Sequence, residues 1–191
     1  MNGHDAIPRY DEEIAGKSAD DSGALVGFTV SRVRLRDLRA IAAIQRRSFR
    51  PGLAYGMSAL LILRFYPRTV FLIARDTSSG AVIGCGIADR YRGELRIMNL
   101  AVDPPQQRRG VGSALLERLE RLSPAGNCVL MVEEWNTGAQ ALYERQGYVR
   151  SGFARDYYGR NRHGIWMKKT RPGSEDPIDQ ADARPEGRLY V

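Results

Sequence analysis

The residues with the clearest chemical potential lie in Gln107-Arg108-Arg109-Gly110-Val111-Gly112-Ser113, where an apolar stretch gives way to a helical pattern. A helix start presents backbone N–H groups without intrahelical partners and carries the positive end of the helix dipole, so it attracts anions. Glycine lacks the side chain that would hold a phosphate away from the backbone. Arg108 and Arg109 add full charges that an ordinary helix cap does not need. The chemistry implied is the grip of a pyrophosphate. Two rival phosphate motifs do not fit: a P-loop needs Lys then Ser or Thr after its second glycine, and the dinucleotide fingerprint needs three glycines at fixed spacing. Arg-x-Gly-x-Gly alone could be no more than a glycine-rich helix start. Its place after an apolar strand and before an amphipathic helix makes it a candidate site.

The surrounding pattern supplies elements to position that segment. Residues 28–34 alternate as a strand, and Asp37 opens a helix with Leu38, Ile41, Ala42 and Ile44 on one face. A loop rich in Pro and Gly at 48–56 precedes a more apolar helix at 58–65, which Pro67 ends. Residues 70–76 and 81–89 are β-branched runs joined by Thr77-Ser78-Ser79-Gly80, as in a hairpin, and 94–102 adds a third strand. A helix at about 112–122 follows, with Val111, Leu115, Leu119 and Leu122 at core spacing. The chain then reads as a strand at 128–133, a helix at 137–145, and strands at 148–155 and 165–169. The predicted order is β-α-α-β-β-β-α-β-α-β-β, an α/β class fold with a mixed, mostly antiparallel sheet flanked by helices.

Length and composition bound the rest. A chain of 191 residues suffices for one domain with a real core. Residues 1–23 and 170–191 are polar and read as disordered tails, leaving 24–169 as the folded domain. The net charge of +7 is uneven, because the tails hold −4 and −2 and the middle holds +13. That excess fits an anionic ligand, or an arginine-biased composition in which only Lys17, Lys168 and Lys169 are lysines. Cys85 and Cys128 lie in apolar runs without metal or disulfide spacing, so both read as core residues and no metal is expected. Trp135 and Trp166 read as packing residues. With no membrane-length apolar run and no signal core, a cytoplasmic protein without membrane partners is expected.

Two linked motifs resemble the GNAT superfamily of N-acetyltransferases. Gln107 to Gly112 is similar to its Q/R-x-x-G-x-G/A motif, preceded by the matching strand Asn99-Leu100-Ala101-Val102. Downstream, Asn136, Ala139, Leu142, Tyr143, Gly147 and Tyr148 match N-x-x-A-x-x-L-Y-x-x-x-G-F apart from the last residue. The resemblance covers roughly residues 28–169. It implies the GNAT fold and acetyl-coenzyme A as acetyl donor. The backbone of Leu100, Ala101 and Val102 would bond the pantetheine amides. The groups of Gln107, Arg108, Arg109, Gly110, Val111, Gly112 and Ser113 would hold the pyrophosphate. Asn136 would contact the arm near the acetyl end, a role compatible with helix N-capping.

By the same resemblance Tyr143 is the acid that protonates the departing thiolate, the alternative being a packed aromatic. N-terminal acetyltransferases often carry Glu or His five residues before the motif Asn. Here that position is Met131, which takes no proton. Residues two apart in a strand share a face, so Glu133 becomes the candidate base, directly or through a water, against a plain solvated strand end.

For the acceptor, Asp156-Tyr157-Tyr158 and then His163-Gly164-Ile165-Trp166-Met167 are similar to the Y-Y and D-A-x-x-M pattern of protein N-terminal acetyltransferases, including the ribosomal-protein alanine type. His163 stands in place of Asp and Gly164 in place of Ala. Phe49, Pro51 and Tyr55 on one loop and Tyr157 and Tyr158 on another are the candidate acceptor residues, unless they cover a core edge. The expected reaction is acetylation of a primary amine, first a protein or peptide α-amine. A small amine such as an aminoglycoside or polyamine is the alternative acceptor, and few acids lie near the groove to favour it. A non-catalytic coenzyme A-binding or nucleic-acid-contacting module is a third reading, although no nucleic-acid motif with its spacing occurs. A monomer or homodimer is expected.

Overall fold

The computed structural model describes residues 14–19, 25–91, 93–122 and 126–171. The elements are β1 (Ile14–Ala19), β2 (Leu25–Arg32), α1 (Leu38–Ser48), α2 (Met57–Phe65), β3 (Thr69–Asp76), β4 (Val82–Tyr91), β5 (Glu94–Val102), α3 (Val111–Arg121), β6 (Cys128–Glu133), α4 (Thr137–Arg145), β7 (Val149–Ala154) and β8 (Gly164–Lys169). Hydrogen bonds join the strands in the order β1-β2-β3-β4-β5-β6-β8-β7. This is the predicted α/β order with one strand added in front. Ile14–Ala19 lies in the segment read as a disordered tail, yet it pairs antiparallel with β2 from Ile14↔Val30 to Ala19↔Leu25. Backbone pairing to a strand edge needs no alternating apolar pattern, and IAGKSA has none. The rest of the expected N-terminal tail that precedes residue 25, and the C-terminal tail beyond residue 171, lie outside the described residues.

The described residues cluster into two compact units, one of those up to Ala88 together with residues 99–122 and the other of those from Asp89 to Met98 together with residues 126–171. In the first unit, β3 and the early part of β4 are buried almost continuously. Continuous burial marks strands covered on both faces. The pleat shows what covers them. Cβ atoms built at Gly84 and Gly86 would meet Val111, Leu115 and Leu119 of α3, whereas Cys85 between them meets Gln45 of α1. Leu115 and Leu119 are fully buried, as are Ile41 and Leu60. Burying a side chain of this size contributes roughly 1.5–3 kcal/mol.

A short 3-10 turn at Leu35–Asp37 leads into α1, and Asp37 closes it by accepting the Arg34 N–H at 2.9 Å and the Arg75 guanidinium at 2.7 Å. Both α1 and α3 are strongly amphipathic. The more apolar α2 buries Ala59 and Leu60 and leaves Leu61, Ile62 and Phe65 exposed.

In the second unit β5 pairs with β6 in parallel, from Leu95↔Cys128 to Ile97↔Leu130. Strand β8 pairs antiparallel with β6 and with β7, the latter with an irregularity between Arg150 and Gly152. Burial alternates along β6, with Val129, Met131 and Glu133 on the less buried face. Met131 and Glu133 thus share a side, as the strand period requires. Both cysteines are buried and neither forms a disulfide among the described residues, and burial pushes the Cys85 thiol up to about 12. Trp166 is part-buried against Tyr157, but Trp135 is 68% exposed and corrects its reading as a packing residue. It sits in the turn after β6, beyond the reach of the strand's buried face. Among the described residues no helix is long and apolar enough to cross a membrane.

Candidate functional site

The first unit carries the anion-binding geometry. The chain leaves β5 through a 3-10 turn at Pro104–Gln106 and reaches α3 with Arg108 at φ 62° and Gly110 at φ 79°, both in the left-handed region. Alternation of left-handed residues with a helix start turns successive N–H groups toward one concavity. Gly110 supplies no side-chain cap to the helix. The leading amides of Val111, Gly112 and Ser113 are therefore left for a ligand by helix geometry. A bare amide nest of this kind can take an anion.

The side chains around the nest divide the labour differently from the sequence reading. Gln107 Nε2 donates to the Val102 carbonyl at 3.2 Å, and Ser48 Oγ donates to the same carbonyl at 3.1 Å. The Gln107 side chain therefore ties the loop back to the end of β5. Arg109 is part-buried, donates to Gln106 and faces Asp76 at 3.9 Å. Asp76 also accepts the hydroxyls and amides of Ser78 and Ser79, which hold its carboxyl down at about 2. Arg108 is exposed to solvent. Arg47 makes a two-pronged pair with Asp103 at 2.8 and 2.9 Å and secures the turn after β5.

Leu100 and Val102 are half-buried and Ala101 is buried. Just before them, Asn99 exchanges hydrogen bonds with Gln45 of α1, in a pair that the sequence reading missed. Its signal was present, because Gln45 falls seven residues after Leu38 on the buried stripe of α1. On the loop after α1, Phe49 and Tyr55 are half-buried and Pro51 is exposed.

The second unit carries the candidate acid, base and tyrosine pair. Asn136 caps α4 by accepting the Ala139 N–H at 3.1 Å. Gln140, also missed in the sequence, is buried one turn later and donates to the carbonyls of Glu133 and Glu134 while accepting from Arg150. It locks the start of α4 to the end of β6. Tyr143 lies three residues on along the same buried face, with its ring 5.8 Å from that of Tyr148. Burial pushes its phenol up to about 12, so it is a neutral proton donor at physiological pH.

Glu133 does not stand in solvent. Its Oε1 accepts from Arg162 Nε at 2.8 Å. The Tyr158 hydroxyl donates to the Met131 carbonyl at 3.0 Å. Tyr157 is half-buried, packs edge-on against Tyr158 and Trp166, and burial raises its phenol. His163 Nδ1 lies 3.0 Å from the Asp156 backbone N–H, from which it accepts. A Cβ at Gly164 would overlap Met131 Sδ and lie 3.2 Å from Tyr157 Cβ. The glycine at 164 and the methionine at 131, two departures from the expected pattern, are thus sterically matched to each other.

Residues 35–148, more than half of the chain, match the family described as "Acetyltransferase (GNAT) family". The [ribosomal protein bS18]-alanine N-acetyltransferase of Escherichia coli K12 is 35% identical over 108 residues, 55% of this chain and 66% of that protein. The chain therefore spans just under two thirds of that relative's length. An uncharacterised N-acetyltransferase of Methanocaldococcus jannaschii is 30% identical over 148 residues, 75% of this chain and 92% of that one. The crystal structure of the ribosomal-protein-S18-alanine N-acetyltransferase from Escherichia coli superposes with a TM-score of 0.66 at 26% identity, covering 80% of this chain and 99% of that one. A strand running into an uncapped, glycine-led helix, the family match across both halves of the motif, and the likeness in fold converge, and the chain belongs to the GNAT family of acetyltransferases.

Proposed function

We propose that this chain transfers the acetyl group of acetyl-coenzyme A to the α-amino group of a protein or peptide. The observation that carries the reading is the bare amide nest at the start of α3, behind the left-handed residues Arg108 and Gly110, in a chain of this family. Acetyl-coenzyme A supplies an activated thioester. The amides of residues 107–113 and the exposed Arg108 side chain hold its diphosphate. Arg109 serves the loop's shape through Gln106 and Asp76. The backbone of Leu100, Ala101 and Val102 binds the pantetheine arm, with the Val102 carbonyl already engaged by Ser48 and Gln107. Asn136 spends its side-chain oxygen on the helix cap and keeps its amide nitrogen for the donor.

Tyr143 gives its proton to the departing thiolate, and Glu133 receives the amine proton on Oε2, directly or through a water. The amine must be neutral to attack. An α-amine needs roughly 3 kcal/mol less than a lysine to lose its proton at neutral pH, which suits a site whose carboxylate is already shared with Arg162. Phe49, Pro51 and Tyr55 in the first unit, and Tyr157 and Tyr158 in the second, are the residues assigned to the acceptor. The Tyr157 hydroxyl binds its backbone, because that of Tyr158 is committed to Met131. The relatives named for alanine N-acetylation of a ribosomal protein support a protein N-terminus as acceptor. A cytoplasmic setting goes with this reading of the acceptor.

The test is thiol release from acetyl-coenzyme A over peptides with different first residues, alongside free lysine, polyamines and aminoglycosides. Turnover on peptides that stops when the α-amine is blocked is expected. Turnover on small amines alone overturns the acceptor, and the absence of any calorimetric signal with coenzyme A overturns the whole reading.

A further inference from the structure

Gln45 is a fully buried amide, 0% exposed, on the core face of α1. Its Nε2 donates to Asn99 Oδ1 at 2.6 Å and to Cys85 Sγ at 3.4 Å. Its Oε1 accepts from Asn99 Nδ2 at 3.3 Å and from the Tyr55 backbone N–H at 3.4 Å. Both donors and the acceptor are therefore used, and each partner lies on a different segment. Asn99 directly precedes the strand residues 100–102, and Tyr55 lies on the loop between α1 and α2. Burial alone does not call for an amide here. A pair of apolar side chains of similar shape can replace a buried hydrogen-bonded pair at nearly no cost, whereas one amide left alone is expensive. What apolar residues cannot supply is a bond to the Tyr55 amide and a fixed register with Asn99.

We propose that Gln45 is a positioning residue that holds the acceptor-side loop, through the Tyr55 amide, in register with the strand that carries the acetyl donor. This rests on the acyl-transfer reading above for what the loop and the strand do. Gln45 touches neither substrate. Its effect falls on acceptor recognition, because the donor's diphosphate is held by the nest at residues 107–113, which Gln45 does not contact.

The decisive variant is the double substitution Gln45→Met with Asn99→Leu, which removes both amides together and leaves none buried alone. Gln45→Met by itself serves as the comparison and is expected to lower the melting temperature more than the double variant does. Amide hydrogen exchange at Tyr55 is measured in the wild-type and double-variant proteins. Coenzyme A affinity by calorimetry and KM for a peptide acceptor complete the set. Loss of one backbone anchor corresponds to exchange about three- to tenfold faster at Tyr55 and a peptide KM raised by about fivefold. Coenzyme A affinity is expected to stay within about twofold of wild type, since the nest is untouched.

Unchanged exchange at Tyr55 overturns the proposal, as does faster exchange with an unchanged peptide KM. A double variant that fails to fold also overturns it, because the amide pair is then needed for the core itself. If the wild-type protein acetylates no peptide, the acyl-transfer reading fails separately, and exchange at Tyr55 still decides whether Gln45 holds the loop.

Discussion

Replacing Tyr143 with Phe isolates one hydroxyl. The ring is 8% exposed and packs 5.8 Å from Tyr148, contacts that Phe retains. Among the described residues the hydroxyl takes part in no hydrogen bond, so its removal is expected to change folding stability by less than about 1 kcal/mol. With its phenol near 12, Tyr143 is almost wholly protonated at pH 7.5, which is the state a donor to a thiolate needs. A positioned general acid contributes roughly 10²- to 10⁴-fold, equivalent to about 3–5 kcal/mol of barrier. Tyr143→Phe should therefore lower kcat by that factor, with the melting temperature within a few degrees of wild type and the coenzyme A affinity within about twofold. Single-turnover acetylation of a peptide by the two proteins measures it. A further consequence concerns pH: Tyr143 should impose no falling limb on the wild-type rate below about pH 11. A loss of kcat smaller than about threefold would refute the assignment, because no acid that contributes less than this is worth the name.

Gly164→Ala should lower stability by about 1 kcal/mol, because its Cβ overlaps Met131 Sδ, and Met131→Val should restore most of it; thermal melts of both single variants and the double variant read the coupling. Asp76 has a depressed folded-state pKa, near 2 against an ordinary value of 3.8, so its contribution is present above about pH 4 and lost as pH falls toward 2. The stability difference between wild type and Asp76→Ala should accordingly shrink over that window in acid titrations, and a constant difference would count against the serine-held carboxylate. Gly126→Ala should cost at least about 2 kcal/mol in urea unfolding, since φ is 79° there and a Cβ would strike the Gly93 carbonyl.

The order of elements was legible because most of them carry their own period: alternation in β5 and β6, and a buried stripe in α1 and α3. The left-handed turn into α3 was legible as Arg-x-Gly-x-Gly because its geometry depends on residues adjacent in sequence. Strand β1 was not, since an edge strand needs only a backbone neighbour. The partners of the site residues were hidden for another reason. Glu133 meets Arg162 from 29 residues away and Gln45 meets Asn99 from 54, and no local pattern encodes such pairings. Gln45 and Gln140 did leave a trace, each a polar residue on an otherwise buried helix face. Reading them as interruptions of an apolar stripe hides their work.

The tether from Tyr158 reaches the main-chain carbonyl of Met131, a group that every amino acid brings to that position. Evolution could therefore exchange the side chain at 131, within the room that residue 164 leaves, while this restraint on the tyrosine loop persists. The sequence beside the loop can drift one residue at a time on a frame that does not register the change.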